Sequence, residues 1–281
     1  MPRPSAAIPL LLFLATLLRV VGADPTPKFE SEIHAFVEAD RKSPRQPGGI
    51  LFVGSSIFRE WTQVATAMAP LPVLNRAFGG SKTQDQLDRF DQVVTPHRPR
   101  TVVYYCGSND LKAGDDPGAI FGRFKSFSER LHQQLPDCHL IAVSSTRSPD
   151  RVPIWDRVDQ YNGLVRAHCA TTPRHTFVDL NPTLVDPEGR PRLDFFRGDR
   201  LHLHPAAYEA FAKVLRPVLE KVWSEVQSEP QTPGNKAKLE ALLGTKRQVM
   251  HGFATIPGVS HWSHHEAASL VTRTRVDGLK P

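Results

Sequence analysis

Four short stretches of this chain carry side chains able to act on a carbonyl carbon, and each follows an apolar run or precedes a long amphipathic one. In Phe52-Val53-Gly54-Ser55-Ser56-Ile57, a serine falls where an apolar run gives way to a segment containing Phe58, Trp61 and Val64. A serine at a strand-to-helix turn is exposed at the carboxyl edge of a sheet, and the amino end of the following helix favours negative charge developing beside it. Ser56 is placed there as a nucleophile; the competing reading is a plain turn with a helix cap at Ser55 or Ser56. Asp199-Arg200-Leu201-His202 supplies the matching pair. A histidine receives a serine proton well only when its tautomer is fixed, and a carboxylate three residues earlier in a tight loop can reach its other ring nitrogen.

Two further stretches offer hydrogen-bond donors. Asn75-Arg76-Ala77-Phe78-Gly79-Gly80-Ser81 has two glycines, which let a backbone N–H approach a ligand closely, although glycine pairs also occur in ordinary turns. Gly107-Ser108-Asn109-Asp110 follows the apolar run Val102 to Cys106, and the Asn109 amide can donate to an oxyanion; Asn-Asp is equally a turn or a helix cap. Gly79-Gly80-Ser81-Lys82-Thr83 lacks the glycine spacing and Gly-Lys-Thr order of a phosphate loop, which excludes that nucleotide-binding motif. His202 and His204 have metal-ligand spacing, but no second cluster accompanies them, and His204 before Pro205 reads as a helix-entry residue.

The elements that must position these groups alternate between apolar runs and helical periodicity, the pattern of a parallel sheet with helices on both faces. Strands are expected at 49–53, 72–75, 101–106, 139–144 and 176–180. Crossover helices are expected over 84–94, with Leu87, Phe90 and Val94 inward, and over 117–134, with Ile120, Phe124, Phe127 and Leu131 inward. A closing helix over about 205–226 presents Tyr208, Phe211, Leu215, Val218, Val222 and Trp223. Each candidate group therefore lies at a strand's carboxyl end or at the entry to the last helix.

With these blocks in hand, residues 49–226 resemble the SGNH/GDSL hydrolases, in the branch similar to platelet-activating-factor acetylhydrolase subunits and lysophospholipase-like esterases. The resemblance implies a flavodoxin-like three-layer α/β/α fold with a five-stranded parallel sheet. It implies Ser56 as nucleophile, His202 and Asp199 as its base and orienting acid, and an oxyanion hole from the Ser56 N–H, the Gly80 N–H and the Asn109 amide. No cofactor is required by that chemistry. The chain departs from the family at Ser55, where aspartate is usual, a change that bears on hydrogen bonding within the turn. Expected substrates are small-molecule, glycan or lipid esters, with a carbohydrate O-acetylester ranked just above a lysophospholipid; the alternative is an inactive relative that binds a glycan or an envelope partner.

The 281 residues suffice for one large domain, and a formal charge of +6 is spread over single arginines with no basic run, which argues against a nucleic-acid groove. Residues 1–23 read as a signal peptide: Arg3, then the apolar stretch Ala6 to Leu18, then Val21-Gly22-Ala23 before a mature start at Asp24. The expected location is secreted or periplasmic, with no stable membrane span after cleavage. A hydrolase domain over 24–227 would precede an extension over 228–281, which opens on a Pro-rich linker and includes His261, Trp262, His264 and His265. Cys106 reads as a buried small hydrophobe, whereas Cys138 and Cys169 have the option of pairing in an oxidising compartment. The segment Ser144 to Trp155, with Arg147, Arg151 and Trp155, reads first as a solvated surface loop, with a substrate-facing loop as the alternative.

Overall fold

A computed structural model of the chain describes residues 28–229. The expected leader and residues 230–281 of the expected extension, with its His261, Trp262, His264 and His265, lie outside the described residues. The chain divides into two compact units, one ending at Arg45 and one starting at Gln46. The first contains helix α1 (Glu30–Lys42), which has acidic residues in its first turn and basic ones in its last, the order that complements a helix dipole.

The second unit holds a parallel sheet of β1 (Ile50–Gly54), β2 (Val73–Asn75), β3 (Thr101–Tyr105), β4 (His139–Val143) and β5 (His175–Val178). Its order is β2-β1-β3-β4-β5, the flavodoxin-like arrangement. After β1 come α2 (Ser56–Arg59) and α3 (Val64–Ala67), after β2 α4 (Thr83–Asp88) and α5 (Phe90–Val93), and after β3 α6 (Ser108–Lys112) and α7 (Pro117–Gln134). β4 leads through a 3-10 turn to α8 (Trp155–Thr171), and α9 (Pro205–Ser228) closes the unit. The chain winds one way from β1 to β2 and the other way from β1 to β3, so the crevice at the carboxyl ends of β1 and β3 is the switch point where open α/β folds bind ligands. Register brings these ends level, with Gly54 beside Tyr105 and Phe52 beside Asn75.

The sheet forms from these segments because every residue of β1 and β3 is buried, as both faces of a covered sheet demand. Helix α7 starts where Asp116 caps it, accepting from the Ala119 N–H at 3.0 Å, with Pro117 in the first turn, and it buries Ile120, Phe124, Phe127 and Leu131 as expected. Helix α9 buries Tyr208, Phe211, Leu215, Leu219 and Val222. The inward residue in its middle is Leu219 rather than Val218, which with Trp223 is only partly buried. Trp61 stacks on Tyr208 at 5.4 Å and meets Phe211 edge-on at 6.2 Å, while the Tyr208 hydroxyl donates to the Ile57 carbonyl at 2.9 Å. The closing helix is thereby bolted to the helix that begins with Ser56.

The segment 84–94 departs from expectation. It forms two helices interrupted at Arg89, and the inward position falls on Gln86 while Leu87 is only partly covered. A polar residue is tolerated there because both hydrogens of its amide nitrogen are used, as described below. Cys106, Cys138 and Cys169 are all buried and free, so the Cys138–Cys169 pairing is not formed. His204 is the residue before the first turn of α9, in the helix-entry role expected of it.

Candidate active site

The site is built on the turn after β1. Gly54 has φ +143°, and a Cβ there would fall 1.9 Å from the Tyr105 carbonyl oxygen, so the close approach of β1 to β3 admits only glycine. The Ser55 N–H donates to that same carbonyl at 3.1 Å, and the Ser55 carbonyl accepts from the Phe58 and Arg59 N–H groups at 3.1 and 3.0 Å. Ser55 stands at the cap position of α2 without a side-chain capping bond. Backbone bonds therefore hold the turn despite the absence of the usual aspartate, and Ser56 is left as the first residue of α2.

Ser56 Oγ lies 2.9 Å from His202 Nε2, and His202 Nδ1 lies 2.6 Å from Asp199 Oδ2. The other Asp199 oxygen accepts from the Leu201 and His202 N–H groups at 3.0 and 2.9 Å, so carboxylate and imidazole are fixed by their own loop. Arg200 takes a left-handed conformation, φ +57°, which tightens the loop enough for the side chains to meet. Slight burial raises the Asp199 carboxyl, but the His202 side chain and the two N–H donors outweigh it and bring it to about 2. The acid is thus ionised throughout the neutral range. Serine to imidazole to carboxylate is the geometry by which a hydroxyl can be deprotonated as it attacks and the resulting imidazolium stabilised.

The donor loops meet beside this relay. Gly80 sits at φ +70° in the turn after β2, and the carbonyl of its neighbour Ser81 accepts from Asn109 Nδ2 at 3.0 Å. One Asn109 amide hydrogen is committed there; an amide nitrogen carries two. Gln86 Nε2 donates to Ser81 Oγ at 2.8 Å and to the Gly54 carbonyl at 3.2 Å, and the Phe78 N–H reaches the same carbonyl at 3.0 Å. Asn75 Nδ2 donates to the Phe58 carbonyl at 2.7 Å while its Oδ1 accepts from the Ala77 N–H. Asp110 is fully buried and accepts from the Thr83 hydroxyl at 2.6 Å, the Thr83 N–H at 3.1 Å and Arg123 at 3.2 Å. Burial pushes the Asp110 carboxyl up against these donors. The three loops are cross-tied by Asn75, Gln86 and Asp110, none of which sequence reasoning assigned a positioning role.

The segment after β4 is a largely buried wall beside the Asp199–His202 loop. Ser144, Ser145, Thr146 and Ser148 are buried, as is Arg151, which pairs with Asp150. Arg147 donates through Nε to Asp159 at 2.6 Å and lies over the Trp155 ring. The Asp150 N–H donates to the Arg200 carbonyl at 3.0 Å, which ties this wall to the Asp199–His202 loop. Among the described residues no group of three or more His, Cys, Asp or Glu could hold a metal ion.

The chain thus combines a flavodoxin-like sheet with a serine, a histidine and a carboxylate in contact at its switch point. Residues 52–210 match the family model of the GDSL-like Lipase/Acylhydrolase family, and the chain belongs to that family and is an ester hydrolase. It is similar to the platelet-activating factor acetylhydrolase IB subunit alpha1 of Bos taurus, 28% identical over 206 residues that cover 71% of this chain and 86% of the relative. The Homo sapiens protein of the same name is 28% identical over 202 residues, 70% of this chain and 84% of the relative. A GDSL-like lipase from Bacteroides thetaiotaomicron has the same fold, with a TM-score of 0.57 at 19% identity over 67% of this chain and 97% of its own.

Proposed function

We propose that the protein is an exported serine esterase in which Ser56 is the nucleophile, His202 its general base and Asp199 the acid that orients the base. The observation that carries this reading is the unbroken contact from Ser56 Oγ to His202 at 2.9 Å and on to Asp199 at 2.6 Å. Ser56 attacks the ester carbonyl as its proton passes to His202 Nε2, and the imidazolium returns the proton to the departing alcohol. A water activated in the same way then releases the acid. The oxyanion is met by the Ser56 N–H, the Gly80 N–H and the second hydrogen of the Asn109 amide.

The substrate is an acetyl or other short-chain ester carried on a glycan or lipid outside the cytoplasm. Two supports converge: the leader-like residues 1–23 and the acetylhydrolase name of the mammalian relatives. The test is a series of p-nitrophenyl esters of increasing acyl length, run beside an O-acetylated polysaccharide and an acetylated lysophospholipid. A kcat/KM that falls steeply beyond short acyl chains supports the reading, and a rise towards long chains contradicts it. Export predicts a mature protein whose amino-terminal sequencing begins at Asp24.

A further inference from the structure

One charged side chain touches the relay without a part in it. Glu60 stands four residues after Ser56, just past the end of α2, with its side chain only 17% exposed. Its Oε1 is 3.7 Å from His202 Nε2, the ring nitrogen that faces Ser56. Two guanidinium groups pair with the carboxylate: Arg59 Nη2 hydrogen-bonds Oε1 at 3.2 Å, and Arg197 Nη1 lies 2.7 Å from Oε2 as an ion pair without hydrogen-bond alignment. Arg197 is itself anchored, and Arg59 is packed against the glycine turn. Arg197 Nε donates to the Leu203 carbonyl at 3.0 Å, and Arg59 lies so close to Gly79 that a Cβ there would come within 2.6 Å of the guanidinium. Glycine at position 79 leaves room for that cation, a reason separate from the backbone demand at Gly80.

We propose that Glu60 is a second positioning carboxylate of the relay, stabilising the His202 imidazolium from the Nε2 side as Asp199 does from the Nδ1 side. This rests on the serine-esterase reading above. As the bond from Ser56 Oγ to the ester carbon forms, the Oγ proton moves to Nε2 and the ring gains a full positive charge. The carboxylate at 3.7 Å faces that charge, which vanishes again when the proton passes to the departing alkoxide. The attraction thus belongs to the charged steps and is missing from the resting enzyme, which is the condition for lowering a barrier. At 3.7 Å Glu60 makes no hydrogen bond to the ring, so it leaves Nε2 to Ser56 Oγ, and the arginines on both its oxygens keep it from swinging closer.

The charged and titratable groups around the ring are Asp199 on Nδ1, Ser56 and Glu60 on Nε2, and Arg59 and Arg197 on the two Glu60 oxygens. Tyr208 is the remaining neighbour of the carboxylate; burial first, and then Glu60, push its phenol well up, so it stays neutral.

The test is the pH profile of kcat/KM for p-nitrophenyl acetate in wild type, Glu60→Gln, Arg197→Gln and Ser56→Ala. Glu60→Gln keeps an oxygen for the arginines and removes the charge. It is expected to lower kcat about tenfold, a modest fraction of what a charge pair at this separation can supply, to leave KM within about twofold, and to move the acid limb to lower pH. Arg197→Gln, which takes a cation from behind the carboxylate, should leave that limb in place or move it to higher pH. If Glu60→Gln folds poorly by thermal melting, Glu60→Asp reads the same limb, which should stay near the wild-type position because the charge is kept. Equal losses in Glu60→Gln and Arg197→Gln with an unmoved acid limb would overturn the proposal and make the clamp a brace for the loop. Hydrolysis surviving in Ser56→Ala would instead remove the relay itself.

Discussion

Acidification from pH 6.5 to 4 should destabilise this fold through four histidines at the sheet edge opposite the site. His139 opens β4 and His175 opens β5, while His132 and His168 lie near the ends of α7 and α8. The His175 ring centre is 4.9 Å from that of His132 and 5.3 Å from that of His168. Burial first, and then His175, Arg174 and His132, bring His139 from 6.5 to about 4. Burial likewise brings His175 to about 4, with His132 and His168 adding to the effect against a bond from its Nδ1 to the Pro173 carbonyl. Both rings are neutral when folded and bind protons when unfolded, so the unfolded chain takes up more protons between 6.5 and 4. Stability is therefore full above 6.5, falls through that window and levels off below it. A displacement from 6.5 to about 4 is worth about 3 kcal/mol per ring. Residual solvent access discounts this by about half, leaving about 3 kcal/mol for the pair. Asp199 adds nothing in this window, because its own loss begins only below its unfolded value of 3.8. Urea unfolding followed by circular dichroism at pH 7, 6, 5 and 4.5 measures the fall. Ser128 Oγ lies 2.6 Å from His175 Nε2, a contact that a glutamine amide can keep, so His175→Gln should remove about half of the fall. A fall of the same size in the His139→Gln/His175→Gln double variant would refute the reasoning.

Two further outcomes follow from the site and its scaffold. Asn109→Ala should lower kcat about a hundredfold to a thousandfold with a folded protein, as expected for an oxyanion donor; near-normal turnover in steady-state kinetics removes Asn109 from that role. Gly54→Ala must relieve both φ +143° and a 1.9 Å clash with the Tyr105 carbonyl, so it should cost about 3 kcal/mol or more and lower the melting temperature by about 10 °C, and an unchanged melt would contradict the glycine argument.

Much of the fold was legible because each strand is a short apolar run bounded by Gly, Pro or Asn, and the sheet requires such runs on both faces. The site was legible because its parts come as compact local signatures: Ser56 two residues past a strand, Asn109 after another, and Asp199 three residues before His202. The ties between those parts were not. Asp110 reaches Thr83, Gln86 reaches Gly54 and Asn75 reaches Phe58, pairs 27, 32 and 17 residues apart that no local spacing announces. Leu87 was expected inward because a period of 3.6 assumes an unbroken helix, and the interruption at Arg89 invalidates that assumption. Helix α8 escaped notice because its buried face mixes Val158, Tyr161, Asn162, Val165 and Cys169, which dilutes the apolar stripe. Glu60 did carry a signal, an acidic residue one helical turn beyond Ser56, whose meaning required His202 to be brought beside it.

The role of Ser56 as the nucleophile of an ester hydrolase has a direct test. The direct measurement is p-nitrophenyl acetate turnover by purified protein lacking residues 1–23, beside its folded Ser56→Ala variant. Measurable kcat is expected in the first and a loss of at least about a thousandfold in the second. Equal turnover in the two proteins would contradict it.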